Sequence, residues 1–98
     1  MKVAFCIKYF DGNPRFSDTF GNSDKFLIYD VESEKLFDKF TNHFKTSSAS
    51  EIFCAQVLIK RGIDTVVCGK FETNAKNLFN EANIQLIENI KLRPTDFI

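Results

Sequence analysis

Charge of either sign is not in excess, because thirteen basic side chains balance thirteen acidic ones. No net field therefore draws the chain to nucleic acid or to an anionic membrane, although a local patch is compatible with a balanced total. Long apolar runs are lacking too. The longest, such as 26–29 and 65–68, fall far short of the ~20 residues that a membrane helix needs. Met1-Lys2-Val3-Ala4-Phe5 enters a strand-like pattern with no small-residue cleavage site, which makes the cytoplasm the expected location. Cysteine is scarce. Cys6, Cys54 and Cys68 are odd in number and form no CxxC, so buried thiols are expected and disulfides are not. No GxGxxG or GxxxxGK fingerprint occurs, and no Ser/His/Asp set assembles. A two-metal nuclease needs converging carboxylates, yet Asp11, Asp30 and Asp64 fall in a turn, at one strand end and at the opposite end of another strand. The expectation is a protein that is not an enzyme.

What is present is an ordinary globular balance, 44% apolar and 27% charged, in a length that suits one domain over residues 1–98. Val3-Ala4-Phe5-Cys6-Ile7 is continuously apolar and rich in strand formers, the pattern of a central strand buried on both faces. Four turn-favouring residues, Asp11-Gly12-Asn13-Pro14, open a stretch read as irregular to about Gly21. Lys25 to Val31 and Lys35 to Phe40, joined by Glu32-Ser33-Glu34, form a hairpin. Ser48-Ala49-Ser50-Glu51 fits a capping box, ahead of a helical stripe of Ile52, Ala55 and Ile59, with Cys54 and Leu58 beside it and Gly62 closing the helix. Asp64 to Cys68 is a further buried strand. Ala75, Leu78, Phe79 and Ala82 mark one face of a second helix that Asn83 ends in the left-handed conformation, and Ile84 to Ile87 is the last strand. Each helix is long enough to cross over between parallel strands, so the fold class is α/β. A five-stranded mixed sheet follows, its hairpin at one edge and the other three strands parallel.

Several local sequences carry a resemblance. They are Lys2-Val3-Ala4-Phe5, Phe20-Gly21 with Phe26-Leu27-Ile28-Tyr29-Asp30-Val31-Glu32, the run from Ala55 to Gly69, and Asn74-Ala75, Leu78 and Ala82-Asn83-Ile84. In their joint spacing over residues 2 to 87 the chain resembles the dinitrogenase iron-molybdenum cofactor biosynthesis family, NifX-like proteins included. The resemblance implies a ribonuclease-H-like sandwich and a role in carrying iron-sulfur or iron-molybdenum-type clusters to a metallocofactor-receiving protein, as a monomer or weak homodimer. Departures accompany it. Where the family commonly reads Ser-x-His-Phe-Gly-Arg, this chain has Ser17-Asp18-Thr19-Phe20-Gly21-Asn22, and a Gly-Ala-Gly-like turn is replaced by Ser47-Ser48-Ala49-Ser50. The family's closing helix looks lost, since residues 91–98 are few and include Pro94.

Open α/β sheets bind ligands beyond the carboxyl ends of their parallel strands, where helix N-termini present unpaired N–H groups. That edge gathers Tyr9 and Phe10, then Thr19, Phe20, Gly21 and Asn22, then Ser48 and Ser50, and Cys68, Gly69 and Lys70 with Asn74. Backbone donors and Lys70 suit an anionic cluster. Equally, the serines only cap a helix and Gly69 only permits a turn. A metal site would draw on Cys68 and His43, since thiolate and imidazole suit iron and zinc. Cys68 is expected to be the most ligand-competent thiol, at a strand end before a helix N-terminus; His43 also reads simply as an exposed loop residue. Twelve phenylalanines are more than the periodicity requires. Phe5, Phe26, Phe53 and Phe79 have core places, whereas Phe16, Phe37, Phe44, Phe71 and Phe97 are not required by the periodicity, and those among them that lie exposed would mark a partner surface, the basis of an alternative reading as a metal-free protein-interaction domain.

Overall fold

Residues 4–7 are buried in succession, as a strand covered on both faces requires, and they lie in the middle of the sheet. The computed structural model describes residues 1–89. Along the chain run β1 (Lys2–Phe10), β2 (Asn13–Phe16), a 3-10 turn (Phe20–Asn22), β3 (Lys25–Asp30), β4 (Lys35–Thr41), α1 (Ser50–Lys60), β5 (Thr65–Val67), α2 (Thr73–Glu81) and β6 (Gln85–Ile87). The sheet order is β4-β3-β1-β5-β6, with β5 parallel to β1 and β6 parallel to β5. The β3–β4 hairpin stands at one edge, so the expected parallel set and edge hairpin are both found.

Among the described residues the expected five strands are six. Asp11 and Gly12 both take positive φ, 50° and 82°, and turn the chain back so that Phe10 pairs with Asn13 and Ile7 with Phe16. An Asp-Gly pair is the preferred two-residue hairpin turn because it tolerates those angles. Pro14 does not forbid the strand, since a proline is tolerated at an edge. The stretch from 13 to 16 is therefore β2 and not irregular.

Alternation along the strands builds two apolar surfaces. Ala4, Cys6, Phe26, Ile28, Val66 and Cys68 face the helices and pack with Cys54, Ala55 and Leu58 of α1 and Ala75 and Phe79 of α2. Phe5, Ile7 and Val67 turn to the other face beside Val3, Phe16, Leu27 and Tyr29. Gly62 at φ 72° and Asn83 at φ 60° end the helices as expected. No helix among the described residues is long and apolar enough to cross a membrane.

Other expectations need correction. No capping box forms at 48–51: Ala49 holds the N-cap position without a side-chain bond, and Ser47 Oγ, not Ser48, accepts from Ala49 N at 3.1 Å. The buried stripe of α1 is Cys54, Ala55 and Leu58, rotated from Ile52 and Ile59, which leaves Phe53 40% exposed. Phe71, which periodicity did not require in the core, is buried because it leads into α2 and packs against Phe20 at 5.6 Å. Ala82 lies past the helix end and is exposed. Residues 91–98, including Phe97 and the expected loss of a closing helix, lie outside the described residues.

Candidate functional site

Two turns meet where β1 and β5 deliver the chain to the same edge. Beyond the last β1–β5 pair, Gly69 N donates to Ser17 O at 2.8 Å and Phe20 N donates to Lys70 O at 2.9 Å, joining residues 17–20 to residues 69–70. The approach requires a glycine at 69, since a Cβ there would lie 2.6 Å from Ser17 O. Phe20 anchors the first turn. It is fully buried, with ring centroids 5.4, 5.6 and 5.3 Å from Phe26, Phe71 and Phe79. Ser17 and Ser23 close the backbone of this turn internally, Ser17 Oγ donating to Thr19 O and Ser23 Oγ to Phe20 O.

The first turn of α1 joins through Asn42. Its Nδ2 donates to Ser23 O at 2.9 Å and lies within bonding reach of Gly21 O and Ser50 Oγ, while Ser50 Oγ donates to Gly21 O at 2.8 Å. Thr19, Phe20, Gly21, Asn22, Ser50, Cys68, Gly69 and Lys70 thus come together, and Asn74 lies exposed in the first turn of α2. Ser48 and His43 lie exposed on the loop before α1. Within the group the roles divide. Phe20 and Ser50 are buried and serve the fold, while Thr19, Asn22 and Lys70 keep exposed surface.

Two carboxylates that the residue pattern did not single out complete the edge. Glu72 immediately precedes α2 but does not cap it; instead its Oε1 and Oε2 accept from Gly21 N at 3.2 and 3.1 Å. Glu51, in the first turn of α1, accepts from Ala75 N of α2 at 3.5 Å. These carboxylates stand where unpaired donors invite an anion, and Lys70, exposed, lies two positions before Glu72 in the chain. Their contacts join residues 51 and 24 positions apart, so no local motif announces them.

The thiols are buried as expected, but Cys68 does not reach the open edge that was expected of it. Cys6, Cys54 and Cys68 are fully buried, and Cys68 Sγ donates to Ser17 O at 3.4 Å, beneath the turn and not at an open strand end. Burial pushes the Cys6 thiol well up, and neighbouring Cys68 raises it further. Burial pushes Cys54 up to about 11, against a bond from Ser50 and helped by the charge of Glu72. Such thiols are poor nucleophiles and poor ligands. Among the described residues, no three His, Cys, Asp or Glu side chains gather as a metal site. What the edge presents to an anionic cluster is the polar side chains of Thr19, Asn22 and Asn74 and the ammonium of Lys70, with Glu72 and Glu51 seated on neighbouring amides, so it does not fit thiolate ligation.

The family described as Dinitrogenase iron-molybdenum cofactor matches residues 1–96. The chain belongs to that family. Among solved structures, it is similar to PH0822 at 21% identity and a TM-score of 0.78, covering 98% of this chain and 85% of that one. The apo form of the orange protein from Desulfovibrio gigas shares 20% identity at a TM-score of 0.79, covering 94% and 78% of the two chains. A putative NifB protein from Thermotoga, of the DUF35 family, shares 22% identity at 0.71, covering 87% and 72%. At these identities the likeness is one of fold. No curated protein matches the chain.

Proposed function

We propose that the chain is a non-enzymatic carrier that holds an iron-molybdenum or iron-sulfur-type cluster as cargo at this edge, within a ribonuclease-H-like fold, and passes it to a metallocofactor-receiving protein. Family membership over residues 1–96 is the observation that carries the reading. The meeting of the 17–23 turn, the 68–72 turn and both helix N-termini at one place supports it. Retention falls to Thr19, Asn22, Lys70 and Asn74, through hydroxyl and amide side chains and one ammonium, since the amides of Phe20, Gly21, Asn22 and Gly69 are already bonded within the fold. Charged hydrogen bonds of this kind select an anion without forming bonds to its metals. Reversible holding is what delivery to a second protein demands, since a cargo ligated by buried thiolates would leave slowly.

Anaerobic titration of the full chain with isolated iron-molybdenum cofactor, followed by absorbance and metal analysis, tests this. Saturation near one cluster per chain is the expected result; absence of binding refutes the reading. A second reading, a metal-free interaction domain, draws on the exposed Phe44–Phe53 pair, whose rings lie 5.1 Å apart beside α1. It predicts capture of a protein partner with no bound metal, and loss of capture in Phe53→Ser.

A further inference from the structure

Glu72 holds the N-cap position of α2, from which a shorter capping side chain would turn back onto the first amides of the helix. Glu72 makes no such bond. Both of its oxygens go to Gly21 N, in a different segment, at 3.2 and 3.1 Å. A Cβ on residue 21 would lie 2.6 Å from Glu72 Oε2, so the carboxylate uses space that only glycine leaves open. Among the described residues Glu72 has no lysine or arginine as an ion-pair partner, although Lys70 lies two positions away without one either. The carboxylate is thus held by an amide dipole and is not neutralised by a cation. Charge-assisted bonds to N–H donors are strong, yet a ligand with more charge on the same donor competes directly.

We infer that Glu72 is an internal competitor for the cargo: its carboxylate occupies the Gly21 amide, and a multiply charged anion binds by displacing it towards solvent while Lys70 meets the incoming charge. This inference rests on the carrier reading above. It adds selectivity to that reading, since a neutral or singly charged ligand gains nothing over the resident carboxylate, whereas a dianion or larger polyanion does. It also supplies a release route, because the side chain returns to Gly21 N as the cargo leaves.

The test uses the tetrathiomolybdate dianion as probe on the full chain, in wild type, Glu72→Gln and Glu81→Gln. Glu81, exposed at the far end of α2, controls for net charge alone. Affinity is read by absorbance titration and the Gly21 amide by its nitrogen-proton resonance. Glu72→Gln should bind about tenfold tighter than wild type, as removal of a charged competitor from one donor implies. Glu81→Gln should change affinity far less. The Gly21 resonance should move on the Glu72 substitution alone, and again on titration. Glu72→Asp, which keeps the charge but shortens the reach, should fall between wild type and Glu72→Gln and guards against a folding defect in one variant. Equal affinities for wild type and Glu72→Gln, or a Gly21 resonance indifferent to the substitution, overturn the competitor while leaving the carrier. If no variant binds the probe at any concentration, the carrier reading and this inference fall together.

Discussion

Phe20 shows how one side chain serves both stability and the site. Fully buried and touching three other rings, it fixes the turn that presents Gly21. Phe20→Ala should cost about 3–5 kcal/mol in urea unfolding, as loss of a buried aromatic does. Asp24 has a pH signature. Burial pushes its pKa up, but Lys45 and the Tyr9 amide outweigh that and hold it below the ordinary 3.8. A depressed carboxylate contributes stability above its unfolded pKa and loses it as pH falls through the folded one. Asp24→Asn should therefore destabilise at pH 7 by about 1 kcal/mol. The difference from wild type should vanish below the carboxylate range, as denaturant midpoints at the two pH values will show. The turn also records where the family pattern has moved. Thr19 and Asn22 retain exposed surface, so Thr19→His with Asn22→Arg should fold normally and raise affinity for an isolated cluster, imidazole and guanidinium being the better partners for borderline metals and anions. Unchanged affinity in anaerobic titration would show that this turn is not in contact with the cargo.

At the scale of elements, what was legible followed from local signals. Gly62 and Asn83 end the helices at φ 72° and 60°, and the continuous run 4–7 places β1 at the sheet's centre. The missed strand was hidden by composition: Asn13-Pro14-Arg15-Phe16 has a weak strand pattern, yet Asp11-Gly12 is a hairpin signal in its own right. The capping box failed for a different reason. Glu51 is taken up by Ala75 of the other helix, a contact between segments that no local pattern encodes. Asn42, buried and bridging the turn to α1, is hidden for the same reason: its Oδ1 takes the nearby Phe44 N, but the groups its Nδ2 reaches lie 8 to 21 positions away. Gly69→Ala probes the junction of the two turns. A Cβ 2.6 Å from Ser17 O and 2.9 Å from Asp18 O faces backbone that cannot step aside cheaply, so the variant should lose about 1–3 kcal/mol and its amide protection at Ser17 to Lys70. Hydrogen exchange checks the second effect.

For the whole molecule, the proposed carrier holds a polyanionic cluster at the carboxyl edge through polar side chains, Lys70 and the Gly21 amide that Glu72 yields, with the thiols left in the core. The fold buries all three cysteines in the core between the sheet and the helices, where solvent does not reach their sulfurs. Iodoacetamide should therefore modify the native chain slowly, with Cys68 no faster than Cys6 or Cys54, and rapidly in denaturant. The most direct measurement is an anaerobic titration of wild type and Cys68→Ala with the same isolated iron-molybdenum cofactor. Equal affinities, with Gly21, Lys70 and Asn74 amides shifting in both, are the predicted result; loss of binding in Cys68→Ala, with those amides unmoved, would contradict the account.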